Sequence, residues 1–170
     1  EFSAIPDSVT SVGEWAFQNS GIRQVHMKAG TSYGKGAFSN CTRLTSATMD
    51  EHVTFIPDNT FDGCTSLKEV IVYPYVSTVG AQAFANCTSL ERVVFTKFYF
   101  SAGARMFKNS NPVLYSANGS TAYKYARSND LEFKAKGSGD LSDELEALIQ
   151  EEDEKGTSSG TWKNGTWEYN

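Results

Sequence analysis

The chain has 170 residues and a formal net charge of −5, which is concentrated toward its C-terminal end. Residues 1–136 carry 13 Lys/Arg against 11 Asp/Glu, whereas residues 137–170 carry 2 against 9. A nearly neutral body gives no electrostatic reason to expect a nucleic acid partner. The sequence has no apolar run of ~18 residues, so we predict no direct membrane insertion in this segment.

The first predicted element, over residues 4–9, is the close of a coil and has a counterpart in residues 73–80. A bare first coil exposes apolar edge surface, which arrays of this kind normally cover with a cap. We therefore expect either that the native chain continues N-terminally or that another chain covers this end.

Phenylalanine recurs through most of the chain at spacings of 21, 23, 23 and 23 residues. The positions are Phe17, Phe38, Phe61, Phe84 and Phe107. A repeat of this period is typical of a solenoid, in which stacked coils bury a continuous core between them.

Each repeat contains two apolar residues two positions apart, such as Val70 and Val72, which predict a strand with one buried face. The segment around each phenylalanine is too short for an independent helix, so we predict a short helical or irregular return. Alignment on the phenylalanines places Val113 in the column of Leu90, and Ser116 in the column of Val93.

The fourth repeat shows the full pattern. It reads Leu67-x-x-Val70-x-Val72-x-Pro74-x-Val76-x-x-Val79-Gly80-x-x-Ala83-Phe84-x-x-Cys87. This pattern resembles the BspA-type leucine-rich repeat of bacterial surface proteins, over roughly residues 4–134. The resemblance implies an α/β solenoid: a right-handed leucine-rich-repeat array of about five 23-residue coils, with one parallel sheet and a C-terminal cap. It also implies a secreted or surface-anchored bacterial protein, extracellular or on the cell surface, often adhesive toward host matrix proteins or other cells.

Two coils depart from this pattern. The second has Gly30 and Tyr33 in the columns of Val76 and Val79, and the fifth has Tyr99 and Ala102 there. We expect looser or different packing in both coils. Since Tyr99 falls in a core column, we predict that its ring is structural. Phe98 or Phe100 is then expected to be exposed or to receive the tail.

Residues 118–134 are predicted to form the C-terminal cap of a solenoid domain that spans residues 1–136. Ser120 or Thr121 is suited to begin a helix, and Asn129-Asp130 to end it.

Residues 137–170 form a second region with a glycine-serine linker, an acidic amphipathic helix over 140–155 and a Trp-containing tail. The helix has an apolar stripe of Leu141, Leu145, Leu148 and Ile149. A helix of about 14 residues is marginal alone, so we expect order only if the stripe docks on the solenoid or on another chain, including self-association through 141–149. Asn164-Gly165 between aromatic residues predicts a hairpin, which is interpreted as the start of a truncated further domain.

Three cysteines, Cys41, Cys64 and Cys87, lie one coil apart. Their expected Cα separation of about 5 Å falls within the range of a disulfide. They share an internal column with Ser20 and Ser110, and buried free cysteine behaves as a small apolar residue. The column favours a structural thiol ladder, while one disulfide, or a metal-binding or nucleophilic thiol, stays open.

No catalytic, cofactor or metal site is predicted. Residues 30–35 are one residue short of a phosphate loop, and no Ser or Thr follows the lysine. His26 is placed on an outward strand position, and His52, beside Asp50 and Glu51, is interpreted as part of a solvated turn rather than a weak metal site. No Ser or Cys has an identifiable histidine partner, so the sequence gives no support for an enzyme.

Asn40 and Asn86 stand in Asn-Cys-Thr sequons. We interpret them as the polar corner of the repeat, where the amide side chain satisfies backbone groups. No glycan is expected in a bacterial protein.

The outward strand positions form a three-column surface with an apolar, aromatic patch rimmed by charge, as protein-binding surfaces often have. The candidate binding face comprises Glu69, Ile71, Tyr73, Arg92, Val94 and Tyr115. In this alignment, one outward column places Tyr115 beside Arg92, and another outward column contains Tyr73 and Thr96. The opposing explanation is that Ile, Val and Tyr simply favour strands.

Two functions follow from this pattern and the family resemblance. The first is a non-catalytic, adhesion-like binding module that presents its sheet face to a protein or glycan on a host or neighbouring cell surface. The second is a structural spacer that holds another domain away from the cell surface and has no ligand of its own.

Overall fold

The computed structural model describes residues 5–151, together with the backbone of residues 160–163 and 166–169. Ten short strands form the coils: β1 (Ser11–Val12), β2 (Gln24–Met27), β3 (Ser32–Tyr33), β4 (Ser46–Met49), β5 (Phe55–Ile56), β6 (Glu69–Val72), β7 (Thr78–Val79), β8 (Arg92–Phe95), β9 (Ser101–Ala102) and β10 (Val113–Ser116). They are followed by α1 (Thr121–Ser128), β11 (Phe133–Ala135), α2 (Asp143–Leu148), β12 (Gly160–Lys163) and β13 (Thr166–Tyr169).

The coils stack as a parallel β-solenoid of about six turns, one more than expected from the phenylalanine count. The four-residue strands pair as β2–β4 and as β6–β8–β10, and the three-residue β11 pairs with β10. A second row of two-residue strands pairs as β1–β3 and as β5–β7–β9. This second row, which the sequence did not indicate, arises because the apolar residue at each Val79-like position is also held in an extended segment.

The core contains the predicted phenylalanine ladder. Adjacent rings among the five repeated phenylalanines stack with centroids 5.5 to 5.8 Å apart and interplanar angles of 13 to 16°. The strand column beside the ladder, which includes Val70 and Val93, is also buried. The five rings therefore form a continuous stack along the solenoid, buried from Phe38 onward and half-buried at Phe17.

The return segments around the phenylalanines are irregular turns, so the irregular alternative is observed in the coils. Two residues of each return have positive φ, one lying two positions before the phenylalanine and one two positions after it. Asn19, Asn40, Asn86 and Asn109 occupy the later position, with φ of 54 to 59°. Asparagine recurs there because it tolerates the left-handed conformation better than most residues do.

The amide side chain of Asn86 does not serve the role that we predicted for it. Asn86 donates from Nδ2 to Asp62 Oδ1 at 2.8 Å, and Asn109 donates to Asn86 Oδ1 at 2.8 Å. These bonds join side chains of neighbouring coils rather than satisfying backbone groups.

The returns are joined by three parallel columns of backbone hydrogen bonds. In the central column, the first four of the repeated phenylalanines donate their N–H to a carbonyl of the next coil: Phe17 to Ala37, Phe38 to Thr60, Phe61 to Ala83 and Phe84 to Met106, at 2.8 to 3.1 Å. The residues two before and two after the phenylalanine form the flanking columns in the same way. These columns run unbroken from the coil of Phe17 to that of Phe107.

Both rows of strands are interrupted, in contrast to these columns. Within the described chain, β4 is not paired with β6, and β3 is not paired with β5. A cavity of about 190 Å³ lies at the interruption between β4 and β6. Its lining residues come from the range 45–48 on the β4 side and from the range 68–73 on the β6 side. The strand rows therefore divide the solenoid near its middle, and the return columns hold the two parts together.

The two atypical coils pack differently from the others, as predicted. Tyr33 is half-buried, its ring lies 6.1 Å from that of Phe38, and its hydroxyl accepts a hydrogen bond from Lys28 N at 2.7 Å. Tyr99, however, is 42% exposed, so its assignment to the core is wrong. Phe100 fills that part of the core instead by stacking on Phe95 at 4.7 Å.

The cap consists of α1 and β11, and β11 extends the sheet by pairing in parallel with β10. Ser120 is the N-cap of α1 and accepts from Tyr123 N, and Asn129 is the C-cap, as the sequence indicated. In the second region, helix α2 covers only Asp143–Leu148; residues 152–155 of the expected helix lie outside the described residues. β12 and β13 pair antiparallel, as the hairpin pattern predicts, while the Asn164-Gly165 turn lies outside the described residues.

Candidate binding face

The candidate face is centred on three adjacent outward side chains of the β6–β8–β10 sheet. Ile71 is paired with Val94, and Val94 is paired with Tyr115. Alternation within each strand turns these residues away from the phenylalanine core. The sheet thus places an aliphatic and aromatic row across three neighbouring strands.

The register of β10 corrects the predicted alignment. Val113 pairs with Arg92 and Leu114 with Val93, so placing Val113 with Leu90 and Ser116 with Val93 was wrong. The reason is that this coil is two residues shorter between its phenylalanine and its strand, which the phenylalanine-based alignment did not allow for. The large aliphatic Leu114, which is fully buried, is the signal that would have fixed the register.

Charged residues border this row. Arg92 Nε donates to Glu69 Oε2 across the β6–β8 pair, and both side chains are about one-third exposed. Arg92 Nη1 also lies 3.5 Å from the carbonyl of Asp140. Tyr73 is separate from this group: it is half-buried, packs against the main core and borders the cavity between β4 and β6.

Residues 140–150, which we call the tail from here on, cover the centre of the face. Leu141 and Ile149 form a second apolar cluster with Val94, Tyr115, Phe98 and Ala117, against which Ile71, Val113 and Leu145 also pack. Val94 is fully buried, and Tyr115 is 6% exposed. The stripe docks on the solenoid, one of the two arrangements that we expected, although Leu148 faces solvent instead of joining it.

Polar contacts fix both ends of the tail segment. At its start, Lys134 donates to the Asp140 carboxylate, which lowers the pKa of that carboxyl. At its end, Lys136 Nζ donates to the Ile149 carbonyl at 3.1 Å, and Gln150 N donates to the Thr96 carbonyl at 2.7 Å. The tail is therefore held by apolar packing between two polar anchors.

Thr96, which we predicted on an outward column, is not exposed. It is fully buried, and its hydroxyl donates to the Val72 carbonyl at 2.8 Å. The hydroxyl satisfies its hydrogen bonding within the sheet, which explains how a polar side chain is accommodated there.

The cysteine column contains free, buried thiols, so the thiol ladder is observed. Cys64 Sγ donates to the Phe38 carbonyl at 3.2 Å, and Cys87 Sγ donates to that of Phe61 at 3.1 Å. Burial raises the pKa of Cys64 and raises that of Cys87 to about 12. Thiols held in this form are poor nucleophiles at neutral pH, because the thiolate is the reactive species.

The histidines take part in two separate surface contacts. His26 is half-exposed, as expected for an outward position, with Nδ1 2.8 Å from Thr48 Oγ1 and Nε2 2.7 Å from Asp50 Oδ1. The ring of His52 lies 4.6 Å from that of Tyr75. Among the described residues, no group of three or more His, Cys, Asp or Glu side chains is placed to hold a metal ion.

The repeat pattern and the solenoid together define a leucine-rich-repeat protein. The BspA type leucine rich repeat region matches residues 1–113 in six copies, so the chain belongs to this family. Among curated proteins, no sequence matches the chain. None of the described helices has the length and apolar character needed to cross a membrane.

Two solved structures share the fold. A leucine rich cell surface protein from Faecalibacterium prausnitzii A2-165 is 22% identical with a TM-score of 0.53, covering 86% of this chain and 34% of its own. A leucine-rich repeat protein from Bacteroides ovatus ATCC 8483 is also 22% identical, with a TM-score of 0.61, covering 78% of this chain and 41% of its own. The present chain thus spans less than half the length of either protein.

Proposed function

We propose that this chain is a non-catalytic protein-binding module of a bacterial cell-surface protein, and that it binds through the outward face of β6, β8 and β10. Membership of the BspA-type family and the likeness to a cell surface protein of F. prausnitzii support the surface location. The observation that carries the proposal is the change in outward side chains along the sheet.

This change is from polar to apolar. On β2 and β4 the paired outward residues are His26 and Thr48, whereas the equivalent positions on β6, β8 and β10 are Ile71, Val94 and Tyr115. β-propensity alone does not require this segregation, because threonine favours strands as valine does. A concentrated apolar patch with an aromatic centre and a charged rim is typical of a protein-binding surface.

The tail must leave before a partner reaches this patch. We therefore test the proposal with the full chain carrying Leu141→Asp and Ile149→Asp, which place carboxylates in the apolar cluster and detach the tail. Binding is measured by interferometry against extracellular-matrix proteins and surface polysaccharides. We expect saturable binding to a protein, and we expect it to be weaker in the chain with the tail docked.

The face is then located by adding Tyr115→Ala to the detached chain. We expect at least tenfold weaker binding, since aromatic residues at the centre of an interface contribute most to affinity. Phe55→Ala is the matched control, because Phe55 is an exposed aromatic residue on the second row of strands. Binding to polysaccharides alone would show that the ligand of the face is a glycan and not a protein. No binding by the folded chain would favour the structural spacer.

A further inference from the structure

We infer that the outward face is an acceptor for a short acidic amphipathic segment of a protein partner, and that residues 140–150 occupy the partner's place in cis. This inference rests on the proposed function of the same face and adds the kind of partner that it binds. The docked tail supplies the template, because it shows which side chains and backbone groups the face accepts.

The apolar part of the template is a regular row. Leu141, Leu145 and Ile149 are each four residues apart: Leu145 lies within α2, and Leu141 and Ile149 flank the helix on either side. The two end residues are buried, at 9% and 2% exposure, and all three pack in the cluster with Val94 and Tyr115. The face therefore selects a segment in which a short helix carries one apolar residue toward the sheet and an apolar residue follows or precedes the helix at each end.

The polar part of the template is a charge match. Cationic side chains border the face: Lys134 contacts the Asp140 carboxylate, Arg92 contacts the Asp140 carbonyl, and Lys136 contacts the Ile149 carbonyl. The Asp140 carboxylate is also 3.5 Å from the Tyr115 hydroxyl. A partner segment should therefore carry Asp or Glu directly before its first apolar residue.

The cis attachment is of a kind that a partner can displace. Helix α2 has six residues, well below the length at which an isolated helix is stable in water. The connection to the cap contains Gly137 and Gly139, both exposed and with φ of 87 and 86°. The short linker raises the local concentration of the tail to roughly the millimolar range, which adds to the apolar packing and polar anchors that hold it.

The test uses the full chain with Leu141→Asp and Ile149→Asp, and a fluorescent peptide with the sequence of residues 138–151. Fluorescence anisotropy should show saturable binding to this detached chain and at least tenfold weaker binding to the unaltered chain, whose face is occupied. The peptide with Ile149→Asp should not bind. The peptide with Leu148→Asp is the matched control and should bind normally, because Leu148 faces solvent.

The charge match is tested with an Asp140→Asn peptide, which should bind several-fold more weakly and with less dependence on salt. Peptide binding that is unaffected by Ile149→Asp, or no saturable binding to the folded detached chain, would overturn the inference. A tail-dependent dimer in sedimentation would also overturn it, because the occupant would then be a second copy of this chain.

The two proposals fail in different ways. A protein from the binding panel that binds the face but is not displaced by the peptide would refute the acidic amphipathic partner and leave the binding module intact. If the peptide binds but no protein of the panel does, the face would still be an acceptor for an acidic amphipathic segment. That result would count against an extracellular-matrix protein as the ligand.

Discussion

At the residue scale, one buried hydroxyl opposes the stability of the sheet. Ser116 is fully buried, and among the described residues its Oγ has no hydrogen-bond partner. An unsatisfied buried hydroxyl costs free energy because it has lost its bonds to water. We expect Ser116→Ala to raise the free energy of unfolding by about 1 kcal/mol in urea denaturation.

Ser110 provides a control, because its substitution should change the free energy of unfolding in the opposite direction. Ser110 Oγ donates to the Phe84 carbonyl at 2.7 Å and accepts from Cys87 N at 2.8 Å. Ser110→Ala should therefore lower the free energy of unfolding by about 1 to 2 kcal/mol. Equal effects of the two substitutions would show that the Ser116 hydroxyl is in fact satisfied.

Asp50 gives the protein a defined dependence on acid. The pKa of its carboxyl is lowered first by a hydrogen bond from Ala29 N, at 2.9 Å, and then by His26. A lowered pKa in the folded state stabilises the protein above the unfolded value of about 3.9, and this contribution is lost as pH falls through the folded pKa.

We therefore expect Asp50→Asn to reduce stability near neutral pH and to flatten the decline below about pH 4. Urea denaturation of both proteins measures the difference in their free energies of unfolding. The measurements run from about pH 6 to about pH 2, which spans the titration of the carboxyl. Parallel curves over the whole range would contradict the assignment.

At the element scale, the stability of the docked tail depends on the start of α2. Ser142 is its N-cap, and the Ser142 side chain accepts from Leu145 N. Ser142→Ala should destabilise the docked helix by about 1 kcal/mol, whereas Ser142→Asp retains the cap. The measurement is hydrogen exchange of the Gln150 amide, which is protected by its bond to the Thr96 carbonyl.

Faster exchange of Gln150 in Ser142→Ala than in Ser142→Asp would support this account of the cap. Similar exchange in the two variants would mean that the apolar residues alone hold the tail. The exposed position of Ser142 makes both substitutions compatible with the solenoid fold.

The elements that sequence could predict are those fixed by local spacing. The strand pair at Val70 and Val72, the phenylalanine ladder and the Ser120 cap all follow from the residue type and its place in the repeat. The register of β10 could not be predicted, because the phenylalanine marker does not record the shortened loop that follows Phe107.

The state of the candidate face depended on contacts between distant residues. Its outward residues followed from strand alternation, but the stripe from Leu141 to Ile149 fitted either the solenoid or another chain equally well. Sequence alone could not predict that Phe100, and not Tyr99, fills the core, since both rings are apolar enough to be buried and only packing distinguishes them.

At the scale of the whole molecule, the solenoid should unfold in two parts. The strand rows are interrupted between β4 and β6 and between β3 and β5, in the part of the chain that the structure describes. In a linear array each coil is stabilised by its neighbours, so a weakened interface limits cooperativity. We expect β2 and β4 amides to exchange faster than those of β6, β8 and β10.

Native-state hydrogen exchange with residue resolution tests this expectation. Uniform protection along all five strands would show that the return columns, which cross the interruption, couple the coils fully. Ala47→Val, which restores the residue type found at Val70 and Val93 in the same core column, should add buried apolar contact beside the interruption and narrow any difference in protection.

The three return columns also give the solenoid an electrical polarity. The C=O and N–H of a trans peptide point in opposite directions, so each column aligns its peptide dipoles of ~3.5 D along the stacking axis. The N–H ends face the last coil, at Arg105, Phe107 and Asn109, and the carbonyl ends face the first. Each added coil lengthens three dipoles at once, so a longer array of these repeats acquires a larger axial dipole moment without any change in its formal charge.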